Sequence, residues 1–131
     1  FVVPKVEGVT GNHHNLSHHG QDPTKISQLE KIETGIVECF GSLLTKMKSR
    51  REAGSNLLDS TSVLFGSNLG NANAHHARNL PIFLAGGGFS HGRYVREQEG
   101  TPLCNLYVTM LKNMGLDVDS FAQSTGELSL S

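Results

Sequence analysis

The sequence predicts an α/β domain: a partial three-layer core with a mostly parallel sheet and a long helix across one face. Three observations carry this. Residues 61–67, TSVLFGS, and 80–85, LPIFLA, are short apolar runs of the kind found in strands covered on both faces. Residues from about 23 to 53 carry one apolar stripe at helical spacing, Ile26, Leu29, Ile36, Phe40, Leu43, Leu44 and Met47. A second helical run, Leu103, Leu106, Tyr107, Met110, Leu111 and Met114, lies between Pro102 and Gly115. Apolar strands and striped helices need each other for burial. Strands 62–67 and 81–85 are therefore expected side by side and parallel in one sheet.

Taken in order, FVVPKVE at 1–7 reads as a short strand that Pro4 confines to an edge. It starts at full hydrophobicity, like a strand entered midway in a longer chain. Residues 8–22 are rich in Gly, Asn, His and Asp and read as a loop. Asp22 is placed to cap the long helix, with Pro23 at its first position and Gly54 as its stop. The loop 68–79, NLGNANAHHARN, separates the two central strands, and Gly86, Gly87 and Gly88 end the second. Residues 92–97 suggest an edge strand. Residues 117–131 read as a weakly structured tail, which leaves 1–116 as a single domain, without internal repeats.

Composition narrows the function classes. Net charge is −1 with no basic run beyond Lys46, Lys48, Arg50 and Arg51, a solvated helix end favoured by the helix dipole. Nothing points to nucleic acid. No apolar stretch approaches the roughly 20 residues of a membrane-spanning helix. Cys39 and Cys104 are in no metal-binding spacing and are expected as two buried free thiols rather than a disulfide.

The histidines are the chemical signal. Six of the seven fall in three doublets: His13–His14, His18–His19 and His75–His76. Neutral imidazole is the commonest protein ligand for transition metals. In open α/β sheets, sites form outside the carboxyl ends of strands, and both clusters fall in loops of that kind. His14 and His18 are four apart, so one helical turn or a tight loop puts their rings on the same side, and His75 adds a third ring from the second loop. No carboxylate sits inside either cluster, which disfavours calcium and magnesium and suits zinc, nickel or copper. The plainer reading is that all the doublets are solvated loop histidines, as His91 is expected to be.

The order of motifs resembles a family. His14-Asn15-Leu16-Ser17-His18-His19-Gly20 stands where the alkaline phosphatase, sulfatase and phosphoglycerate mutase superfamily has Asp-x-x-x-His-x-Gly. SVLFGSNLG at 62–70 stands where that superfamily has a strand running into Ser-Asp-His-Gly, and His75 lies six residues before Pro81, in the place of its last metal histidine. More narrowly, HHNLSHHG, LFGSNLGNANAHHARNLPIFLAGGG and PLCNLYVTMLKNMGL resemble the end of a bacterial domain-of-unknown-function family, numbered fifteen fifty-two. The resemblance implies an alkaline-phosphatase-like core, an exported or periplasmic location, and one metal held by His14, His18 and His75. A second metal would need an Asp-His pair at 68–69, where this chain has Asn68 and Leu69. Leucine ligates nothing. The family's nucleophile belongs to an amino-terminal half that has no counterpart in these residues.

Three functions stand open at this level. The first is a degenerate, non-catalytic metal-binding domain related to phosphatase- and sulfatase-type hydrolases, with zinc as the expected metal. The second is a metal-dependent phospho- or sulfo-ester hydrolase that keeps one metal site and polarises a water there. The third is a small interaction domain without metal. Ser17 and Ser67 lie near the site in sequence, yet each reads as a turn or strand-end residue. Phosphate binding at Gly86–Gly88 is weaker, because no Lys-Ser/Thr and no immediate helix follow. A second copy of the chain is the expected partner, and the substrate, if there is one, is not readable.

Overall fold

Asp22 and Pro23 start the longest element. In the computed structural model, which describes residues 2–130, the Asp22 carboxylate accepts hydrogen bonds from the amides of Thr24 (2.8 Å) and Lys25 (3.3 Å). These satisfy donors that every helix start leaves open. The helix, α2 (Pro23–Ser49), follows a single turn, α1 (His13–Ser17). Two small strands come next, β1 (Arg51–Glu52) and β2 (Ser55–Asn56), then β3 (Ser62–Gly66), β4 (Ile82–Gly86) and α3 (Cys104–Asn113).

The helix ends four residues earlier than its apolar spacing suggests. Ala53 and Gly54 both take left-handed backbone, φ 47° and 88°, and form the two-residue turn of the antiparallel β1–β2 hairpin. Gly54 therefore serves the hairpin rather than the helix end. Residues 2–7 form no strand; the Val6 amide instead turns back onto the Pro4 carbonyl at 2.9 Å. Residues 92–97 form none either, and all are exposed.

The expected parallel sheet is overturned. β3 and β4 do neighbour each other, but in a two-stranded antiparallel sheet. The Ser67 amide donates to the Pro81 carbonyl at 3.2 Å, so the end of β3 meets the start of β4. At the other end, a Cβ on Gly87 would lie 3.2 Å from the Ser62 Cα. The connection explains the direction. A parallel pair needs a crossover, usually helical, that carries the chain back to the starting edge. Residues 67–81 hold no helix and fold back on themselves, so the chain returns antiparallel. The strands are also less covered than their apolar runs suggest: Phe83 is 49% exposed. Among the described residues the sheets are two separate two-stranded ones, which does not make the expected three-layer core.

The chain divides into two compact units. One runs through Ser49 and resumes at Phe65–Ile82; the other comprises Arg50–Leu64 and Phe83 onward. In the first, Val9, Leu16 and Ile32 are buried together, with Val6 and Leu29 packed against them. Phe40 stacks on Phe65 with ring centroids 4.7 Å apart. In the second, Leu106 and Val108 of α3 are buried, and so is Asn105. The Asn105 side chain accepts from the Thr125 amide (2.8 Å) and donates to its hydroxyl (3.2 Å). The Thr109 hydroxyl donates to the Leu128 carbonyl, and the Leu128 amide donates back, both at 2.8 Å. Residues 117–130 thus carry no helix or strand and are tied to α3 by side chains. Both thiols are free, but Cys39 is exposed on α2 rather than buried.

Candidate functional site: a three-histidine cluster

The first unit contains all three histidines singled out by spacing. α1 is too short to be stable alone, and two things hold it. The Asn12 side chain caps it by accepting from the Asn15 amide at 2.9 Å. Leu16 anchors it, 3% exposed, against Ile32 of α2 and in close contact with Gly11, where a Cβ would lie 2.8 Å from a Leu16 methyl. The Gln28 side chain steadies the approach by accepting from the amides of Thr10 (2.7 Å) and Gly11 (3.1 Å). With Leu16 facing inward, His14 and His18 project from one side of the turn, the first exposed and the second half-buried.

His75 comes from a tight turn. Asn71 and His76 form an isolated antiparallel bridge, with the His76 amide donating to the Asn71 carbonyl at 3.0 Å. The Asn71 side chain accepts from the Ala74 amide at 3.0 Å. At the turn's far side His75 takes left-handed backbone, φ 51°. A further hydrogen bond reaches across the chain: the Gly20 amide donates to the Asn73 side-chain oxygen at 2.8 Å.

The three rings meet. His14 and His18 have ring centroids 4.8 Å apart, and His18 and His75 are also 4.8 Å apart, both pairs edge-on. Partial burial pushes the His18 pKa down first, and the neighbouring His14 and His75 rings disfavour its charged form further. A neutral imidazole is the ligating form. The spacing suits a shared ion: nitrogens about 2.0–2.1 Å from a tetrahedral zinc put adjacent ring centroids roughly 5 Å apart. As the side chains stand, no group of three or more His, Cys, Asp or Glu among the described residues holds its ligating atoms in a metal-binding arrangement. Closing the site on an ion requires turning the rings about their side-chain bonds, which exposed histidines such as His14 and His75 do readily.

The doubled histidines separate. The His19 Nδ1 accepts from the Gln21 amide at 3.1 Å and so belongs to the loop's own bonding. His76 supplies the backbone of the bridge, and His13 is exposed at the start of α1. His91 lies in the second unit, its Nε2 3.1 Å from the Gly86 carbonyl.

Two other candidates resolve into local structure. The Ser17 hydroxyl donates to the His14 carbonyl (2.8 Å), and the Ser67 hydroxyl accepts from the Leu69 amide (3.1 Å). Gly86, Gly87 and Gly88 all have positive φ, and a Cβ on Gly86 would overlap the carbonyls of Leu58 and Thr61. The run makes a sharp, crowded exit from β4. Asn73, Asn12 and Gln28, which hold the loops in place, carried no signal in the sequence, because a loop amide side chain looks the same whether or not it has a partner. No family model, curated protein or solved structure matches the chain, so the resemblance rests on the quoted motifs alone.

Proposed function

We propose that His14, His18 and His75 bind a divalent metal, zinc foremost, and that the chain is a non-catalytic metal-binding domain related to phosphatase- and sulfatase-type hydrolases. The observation that carries this is the His18 ring, whose centroid lies 4.8 Å from that of His14 on α1 and 4.8 Å from that of His75 in the 71–76 turn. The metal would tie the turn of α1 to the 71–76 turn. Against catalysis stand the lack of a carboxylate inside either histidine cluster and the local bonding of Ser17 and Ser67. Isothermal titration of tag-free protein with zinc tests the reading. His14→Ala and His75→Ala should each weaken binding by 100-fold or more, and unchanged affinity in both overturns it. Wild-type affinity should weaken below about pH 6, since each ring must lose its proton to ligate. Zinc-dependent cleavage of an aryl phosphate or sulfate that vanishes in His18→Ala would instead establish the hydrolase.

The partner we propose is a second copy of the chain, paired through α2. Among the described residues no helix is long and apolar enough to cross a membrane. Ile26 and Val37 are 38% and 45% exposed and, with Leu29, line a shallow groove edged by Glu30, Glu33 and Glu38. The other end of the helix carries exposed Lys46 and Lys48. Antiparallel apposition of two copies sets these lysines against the glutamates and covers the groove. Light scattering across micromolar concentrations should report a dimer that Val37→Glu dissociates; a monomer throughout overturns the pairing.

A further inference from the structure

A hydrogen bond that the sequence does not reveal joins the loop after α1 to the 71–76 turn. It runs from the Gly20 amide to the Asn73 side-chain oxygen, 2.8 Å long, between residues on either side of α2 in the chain. Gly20 follows His18 by two positions, and Asn73 precedes His75 by two. Gly20 has left-handed backbone at the bond itself, φ 56°, and His75, two residues past Asn73, has φ 51°. The Gly70, Asn71, His75 and His76 amides and the Asn71 side chain bond within residues 70–76 and set the form of the turn.

We infer that Asn73 is the positioning residue of the cluster: its side chain holds the 71–76 turn against the loop after α1 and so sets the spacing between the His18 and His75 rings. The inference concerns the metal-free chain, and its consequence for affinity rests on the metal-binding reading above. An exposed bond between two loops fixes little of the fold, so removing it leaves the Leu16 core intact and frees one loop to move. Groups that orient metal ligands without touching the ion typically change affinity 10- to 100-fold when lost.

The experiment uses the full chain, first without metal. Nuclear Overhauser contacts between the ring protons of His18 and His75 should be present in wild type, lost in Asn73→Ala and kept in Asn73→Asp, which retains an oxygen acceptor. The Gly20 amide should exchange with solvent at least tenfold faster in Asn73→Ala, with the melting temperature within about 2 °C of wild type. Zinc titration should then show at least tenfold weaker binding for Asn73→Ala, and wild-type or tighter binding for Asn73→Asp. Ring contacts that persist in Asn73→Ala, or that vanish equally in Asn73→Asp, overturn the inference. Ring contacts that follow the pattern while wild type binds no zinc overturn the metal reading and leave Asn73 as the residue that joins the loops.

Discussion

His75 occupies a backbone conformation that a residue with a Cβ adopts at a cost of roughly 1 kcal/mol, φ 51°. The strain separates its two roles. His75→Gly removes the ring and the strain together, while His75→Ala removes only the ring. Thermal denaturation without metal should therefore find His75→Gly more stable than His75→Ala by about 0.5–1 kcal/mol, with zinc binding lost equally in both. Equal stability of the two variants would show that the turn relaxes to ordinary backbone. At this scale the sequence was informative about chemistry and silent about support. Imidazoles at 14, 18 and 75 announce themselves by type and spacing. The left-handed backbone of His75, and the amide side chains that hold the loops, depend on contacts that spacing does not encode.

α1 shows how a single apolar residue turns a loop into a scaffold. Five residues are too few for a helix to persist alone, so its order comes from the Asn12 cap and from Leu16. Leu16→Ala should cost about 2–5 kcal/mol, as for other buried leucines, and should weaken zinc binding although no ligand is touched. Chemical denaturation with parallel zinc titration measures both; retained affinity would mean that the histidines hold their places without the helix. Among the elements, α2 was legible because its start is written locally in Asp22 and Pro23 and its stripe runs over many turns. The existence of β3 and β4, and their adjacency, were legible too, since short apolar runs bounded by glycine have few other uses. Their direction was not. A continuous apolar run reads the same in either direction, and the deciding fact was that 67–81 contains no crossover helix.

The two units are interleaved along the chain, with their boundaries inside β3 and β4. No change of composition marks such a boundary in the sequence. The cluster belongs wholly to the first unit, and a ligand stabilises what it binds. Hydrogen exchange followed with and without zinc should show slowed amides in residues 9–34 and 69–79. Amides of α3 and of residues 117–130, held by Asn105 and Thr109, should be unchanged. Uniform slowing across the chain would mean that the two units open as one.

The edge-on stacking of His14 and His18 has a practical consequence at the bench. Two imidazoles one helical turn apart, the first exposed and the second half-buried, have the spacing of a chelating pair, and the proposed metal binding gives them that behaviour. The untagged protein should be retained on an immobilised-nickel column and elute at modest imidazole. A fused polyhistidine tail would hide that behaviour and compete for the same ions, so chromatography of the native chain is the cleaner view of its surface.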